Sequence, residues 1–269
     1  MKSYSKATFL TFSLGALLLF APAAHAQYYQ QQYGRQAGPD LRGAAEQLFA
    51  LANQARARAG VGRLQWDPAL AEAALRHCQL MAREGPIEHQ YRGESNVTHR
   101  AAAAGARFSL IEENIAIGSS ADDIQNEWLH SPPHRANMLN PEVDRVGTAV
   151  VEARGILYAV ADFSADVQRL SRTQIEARVA DMIRVSGVKI LGNPVEAREA
   201  CASGSGMPPA RNNMQALFLM RWQSSSLDAL PQALTQRLAT GRYHSAEVGS
   251  CAPHGENGFT GYRLAVLLY

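Results

Sequence analysis

The sequence predicts an α+β protein, and three features of the chain carry that prediction. Alanine-rich stretches with apolar residues at three- and four-residue steps fill much of residues 41–139. Two runs of β-branched and apolar residues follow, at 145–151 and 156–163. Past residue 170 helical and strand-like runs begin afresh, which marks a second, smaller α+β unit over 170–269. A chain of 269 residues accommodates one large domain or two modest ones.

The amino terminus comes first. Lys2 and Lys6 precede an almost wholly apolar run from Phe9 to Phe20, and Ala24-His25-Ala26 sets small residues just before Gln27. This is the three-part pattern of a cleavable secretory signal, assigned to residues 1–26. The run is shorter than the roughly 20 residues that a membrane span requires, so it reads as a signal and not an anchor. No later stretch is long and apolar enough to cross a bilayer. The mature chain is therefore expected to have no transmembrane segment and to be secreted, into an extracellular or periplasmic space. Removing the signal takes away two of the three lysines and no acid, which leaves basic and acidic side chains in balance. Without a clustered basic excess, nucleic acid is not an expected partner. Gln27 to Asp40, rich in Gln, Tyr and Gly, is expected to be a flexible arm.

Leu48, Leu51, Ala52 and Ala55 place an amphipathic helix over Leu41–Gly60, with the glycine as its stop. Asp67 as cap and Pro68 in the first turn open a second helix, on one face of which Leu70, Ala74 and Cys78 lie, so Cys78 is expected to be a buried small hydrophobe. Gly85–Asn96 is a loop holding His89, and Thr98–Gly105 a short helix. Ser120 caps a helix running to about His130, in which Ile124 and Trp128 share a face. Ser131-Pro132-Pro133 breaks it, and His134–Leu139 is one more turn, stopped at Asn140-Pro141. Ala153-Arg154-Gly155 is the turn between the two strands. In the second unit, Thr173–Ser186 reads as a helix, Ala216–Trp222 as a strand, Leu227–Thr240 as a helix with Pro231 near its start, and Tyr262–Tyr269 as an apolar final strand.

The most informative segment is Trp128-Leu-His-Ser-Pro-Pro-His-Arg-Ala-Asn-Met-Leu-Asn-Pro141. With Glu113-Asn114-Ile115-Ala116 upstream and the loop Ile87-Glu88-His89, it resembles the CAP superfamily, which includes cysteine-rich secretory proteins, venom antigens, plant pathogenesis-related proteins and exported bacterial proteins. Order and spacing match the bacterial pattern from about Leu41 to Ser164, so a CAP domain is assigned to 41–164. The resemblance implies an α-β-α sandwich with a central cleft in which His89, Glu113 and His134 face one another. In some family members such a cluster holds a divalent metal. Two imidazoles and a carboxylate are a reasonable partial shell for a cation such as zinc, with His89 and His134 as ligands. Two departures from the family pattern matter. Glu112 stands where the pattern has glycine, which would strain a positive φ there, and Ser131 stands where eukaryotic members carry a second cleft glutamate.

Catalytic patterns are otherwise absent from the sequence. There is no Gly-x-Ser-x-Gly, no His-Glu-x-x-His and no cysteine beside a plausible base; Ser131, ahead of His134, reads as a helix cap. The expected function is thus binding of a small ligand, a partner or a divalent cation at the cleft. The alternative is a metal-assisted, peptidase-like hydrolase in which Glu113 is the base. A third reading has the second unit dock to a cell-envelope partner. Cys201 and Cys251 lie beside what should be neighbouring strands and are expected to form a disulfide, the alternative being two separate buried thiols. No family is recognised for residues 170–269, and Arg221 and Arg263 are expected to face solvent.

Overall fold

In the computed structural model, residues 39–209, 214–252 and 258–269 are described. The signal assigned to 1–26 lies outside them, and so does the arm except for Pro39 and Asp40, which begin the first helix. Residues 40–269 form one compact unit built around two sheets.

The first sheet belongs to the amino-terminal half. Helix α1 (Pro39–Arg58) leads into the short strand β1 (Gln65–Trp66) and then α2 (Pro68–Glu84), α3 (Val97–Ala103) and β2 (Phe108–Gly118). Helices α4 (Ala121–His130) and α5 (Pro132–Leu139) precede the hairpin β3 (Arg145–Ala153) and β4 (Ile156–Asp166). Strand order is β1-β3-β4-β2, with β1 parallel to β3 and the other pairs antiparallel. The two helix layers follow from period-two alternation in the strands. Ala159, Ala161 and Phe163 of β4 face α1 and α4, burying Leu48, Ala52, Ile124 and Trp128. Tyr158 and Val160 face the other way, against Ala74, Cys78 and Met81 of α2. The sheet is therefore the middle layer of an α-β-α sandwich, as expected.

Local chemistry fixes the joints. Asp67 Oδ1 accepts from the amides of Ala69 and Leu70, Ser120 caps α4, and Arg154 and Gly155 take positive φ in the two-residue hairpin turn. Arg56 is 1% exposed and donates to four carbonyls, those of Gly62, Met138, Asn140 and Val143, so the end of α1 is tied to the exit of α5. At Gly147 of β3 helix α2 crosses so closely that an added Cβ would lie 2.0 Å from the Ala71 nitrogen.

The second sheet holds β5 (Lys189–Ile190), β6 (Phe218–Ser224), β7 (Ser245–Cys251) and β8 (Tyr262–Leu268), with helices α6 (Arg172–Arg184), α7 (Val195–Ser203) and α8 (Gln232–Leu238). A capping box at Ser171 and Gln174 starts α6. Glu176 on α6 accepts from Arg198 on α7 and from the Ser250 amide on β7. Cys201 and Cys251 form the expected disulfide. Several details of the sequence reading are corrected. Cys201 sits inside α7, a helix over a segment to which the sequence reading assigned no element. Pro231 holds the N-cap position of α8, so that helix begins after the proline and not before it. Arg221 and Arg263 are half-buried and donate to backbone carbonyls, Arg221 to Ala200, Ser205 and Gly206 and Arg263 to Cys201 and Ala252. Among the described residues no helix is long and apolar enough to cross a membrane.

Candidate functional site

The site lies on the α2 face of the first sheet. Strand β2 turns Glu113 and Ile115 to this face, and the pairing of β2 with β4 sets Glu113 opposite Asp162. Helix α2 adds His77 from above, the loop after it supplies His89 and Glu94, α3 supplies Arg100, and α5 supplies His134. Glu112 lies in the strand with φ outside the positive range, where it accepts from Asn140 Nδ2 at 3.1 Å, so the absent glycine costs no backbone strain.

At the centre is the Glu113 carboxylate, its side chain 4% exposed. Oε1 is 2.8 Å from His89 Nδ1, and Oε2 accepts from Arg100 Nη2. His77 Nε2 stands 4.0 Å from Oε2. A second carboxylate, Glu94, takes His77 Nδ1 at 2.7 Å and lies 3.5 Å from Arg100 Nη1. Burial alone would push Glu113 up. The hydrogen bond from His89 and the positive charges of Arg100, His77 and His89 outweigh burial and hold Glu113 below the ordinary carboxylate range. Asp162 is wholly buried, with the Glu113 carboxylate as its neighbour across the strand pair. Burial, and then the adjacent Glu113 charge, raise Asp162 well above the ordinary range, so it holds its proton while Glu113 is ionised.

The rim is made of imidazoles. His89 has a side chain 57% exposed, and with Nδ1 engaged by Glu113 its Nε2 is the nitrogen left to a ligand. His134 Nδ1 is buried without a partner. Burial, and then the neighbouring charge of His89, lower the pKa of His134 and favour its neutral, ligand-accepting form. Asn114 Nδ2 donates to the His134 carbonyl at 2.8 Å, and Asn137 Nδ2 donates to the Glu113 carbonyl and to Asn114 Oδ1, which fastens α5 to β2. Ser131 occupies the N-cap position of α5 but makes no side-chain cap bond.

His89 is thus bonded to Glu113, and His134, on the helix fastened to β2, lies near enough to His89 to feel its charge. The sequence reading missed His77, Glu94, Arg100 and Asp162. One signal was available for Asp162, an acid inside the otherwise apolar run Tyr158–Phe163. For a cation, the donor set fits only in part. Among the described residues no group of three or more His, Cys, Asp and Glu side chains is arranged to hold a metal. The Arg100 guanidinium on Glu113 would repel a dication from that carboxylate. Glu113 stands behind His89 as the carboxylate that orients its ring.

Comparison with known proteins gives a consistent picture. Residues 49–163 match the model of the cysteine-rich secretory protein family, CAP. The chain is 28% identical over 112 residues to the uncharacterized protein YkwD of Bacillus subtilis (strain 168), covering 41% of this chain and 44% of that one. It therefore spans less than half the length of that curated relative. Among solved structures it resembles an extracellular protein containing a SCP domain from Bacillus anthracis, at 26% identity and a TM-score of 0.45 over 48% of this chain and 44% of that one. It also resembles an outer surface protein from Borrelia burgdorferi, at 21% identity and a TM-score of 0.43 over 45% of this chain and 91% of that one.

Proposed function

Since residues 49–163 are a domain of the CAP, or cysteine-rich secretory protein, family, we propose that this chain works outside the cytoplasm as a binding protein whose ligand is taken at the His89–His134 rim of the cleft, without catalysis. The ligand is a small polar molecule or a weakly held divalent cation such as zinc. One observation carries this reading: His134 has a buried imidazole nitrogen without a hydrogen-bond partner, near enough to the half-exposed His89 ring to feel its charge. A buried polar atom without a partner costs about 1–3 kcal/mol, which a ligand that engages it would recover.

The hydrolase alternative asks Glu113 to act as a general base. A carboxylate paired with a guanidinium and held below its ordinary range is a poor proton acceptor. With two imidazoles and no carboxylate to spare, a zinc ion would keep water in its remaining positions and bind weakly. Calorimetric titration of zinc into the wild-type chain and into His89→Ala/His134→Ala tests the cation form of the proposal. The expected result is weak binding that the double substitution abolishes. Equal binding by both proteins would place the ion elsewhere and overturn it.

A further inference from the structure

We propose that residues 172–268 are a second, degenerate copy of the CAP sandwich from which the cleft has been removed, so that the chain is a tandem with one site. The proposal rests on the family reading of the first half and extends it to a segment that the family model does not reach.

The first support is topology. The two sheets have the same strand order when read along the chain, β1-β3-β4-β2 and β5-β7-β8-β6, with the same single parallel pair and the same two antiparallel pairs. The helices fall in the same places on the same faces. Helix α6 precedes β5 as α1 precedes β1, and α8 lies between β6 and β7 as α4 lies between β2 and β3. Like α1 and α4, helices α6 and α8 pack together on one side of their sheet, where Val179, Ile183, Leu234 and Leu238 meet Val248, Leu264 and Val266. Helix α7, like α2, takes the opposite side, where Ala197 meets Leu267 and Ala200 meets Ala265.

The second support is a matched contact. At Gly147 a Cβ would strike Leu70 and Ala71, the third and fourth residues of α2; at Gly249 it would strike Ala197 and Arg198, the third and fourth residues of α7. Both glycines sit on the third strand of their half and admit the backbone of its second helix. Aligning the halves on these crossings pairs Cys201 with Ala74 and Cys251 with Ala149. Ala74 and Ala149 pack in one apolar cluster of the first half, so the disulfide of the second half spans the junction that two alanines fill in the first.

What the copy lacks is the cleft. Through the strand pairings, Asp162 corresponds to Ala265 and Glu113 to Arg221, and the helix alignment puts Gly204 at the place of His77. Arg221 donates to the carbonyls of Ala200, Ser205 and Gly206 and so fastens the loop after α7 across that position. Among the described residues the copy has no helix corresponding to α3 or α5, the two that carry Arg100 and His134. A strand topology retained while the site side chains are replaced and the counterparts of α3 and α5 are missing is what remains when a duplicated domain keeps its folding role and loses its ligand.

The correspondence can be tested by transplanting the bridge. The intact chain carrying Ala74→Cys/Ala149→Cys in a Cys78→Ala background should form a second intramolecular disulfide, so that no cysteine alkylates until reductant is added. Free, alkylating thiols at 74 and 149 in a chain with wild-type circular dichroism would overturn the equivalence. A crystal structure of the wild-type chain soaked in zinc decides the matter should that variant not fold. Matching strand order with no ion at the Arg221 position supports the proposal, and a different order in the second half, or an ion bound there, overturns it. An empty first cleft in the same crystal would count against the cation reading alone.

Discussion

Replacing Arg100 by leucine removes the guanidinium and leaves the buried Glu113 carboxylate with the His89 ring as its remaining side-chain hydrogen-bond partner. The side chains of Arg100 and Glu113 are 8% and 4% exposed, so water replaces little of the lost pairing. Two unit charges about 4 Å apart interact by about 4 kcal/mol at an effective dielectric near 20, and breaking one partner out of a buried pair typically costs about 3–5 kcal/mol. Arg100→Leu should therefore lower unfolding free energy by about 3–5 kcal/mol, read from urea denaturation. At about 2–4 °C per kcal/mol for a chain of this size, the melting temperature should fall by about 6–20 °C. A double-mutant cycle isolates the pair. Adding Glu113→Gln to Arg100→Leu removes the stranded charge, so the double variant should be more stable than Arg100→Leu alone. A loss below about 1 kcal/mol for Arg100→Leu would refute the reading of this pair as a buried, mutually dependent one.

Asp162 gives a pH signature of opposite sign to that of Glu113. In the folded chain it keeps a proton that the unfolded chain has released above the ordinary value of 3.8, so wild-type stability falls as pH rises above that value, by up to about 1.4 kcal/mol per unit. Asp162→Asn cannot titrate, and its amide can donate to Glu113, so its stability relative to wild type should grow between pH 4.5 and 7.5; a pH-independent difference would contradict the buried acid. Gly147→Ala forces a methyl to within 2.0 Å of the Ala71 backbone and should destabilise by about 3 kcal/mol or more, whereas Gly43→Ala, in α1 with open space around it, should stabilise by about 0.4–1 kcal/mol; thermal melts of the two should move in opposite directions. Cys201→Ser/Cys251→Ser opens a 50-residue loop and should cost about 4 kcal/mol in the chain-entropy account, seen as a lower urea midpoint, with no change expected in reducing buffer.

The helices of the first half and its β3–β4 hairpin were legible because their periodicity, caps and breakers agree: Asp67-Pro68, Ser120 and Arg154-Gly155 each do in the fold what their chemistry indicates; β1 and β2 were not assigned as strands, β2 because Glu112-Glu113-Asn114 interrupts its apolar run. The meeting of His89, Glu113 and His134 was legible only through resemblance, since nothing local links a loop, a strand and a helix. Arg100 and His77 were hidden for a related reason. On alanine-rich helices a lone Arg or His reads as a solvated side chain, and only the register of β2 against β4 reveals that a buried acid waits beneath them. In the second half the strands at 218–224 and 262–268 were visible from composition, but α7 and the two-residue strand β5 were not, being too short and too polar to show a period. The repeat itself was hidden because the halves share positions in space and almost no side-chain identity.

The bare crossing at Gly147 also decides which parts of the cleft can move. With backbone seated on backbone at Gly147, no side chain lies between α2 and β3 at that crossing to change rotamer, so His77, two turns on, stands on a closely seated helix. His89 stands instead on a loop, held by its ring to Glu113 and by the Arg100 bond to its carbonyl. One wall of the site is thus set by a backbone crossing and the other by a loop that two hydrogen bonds hold in place.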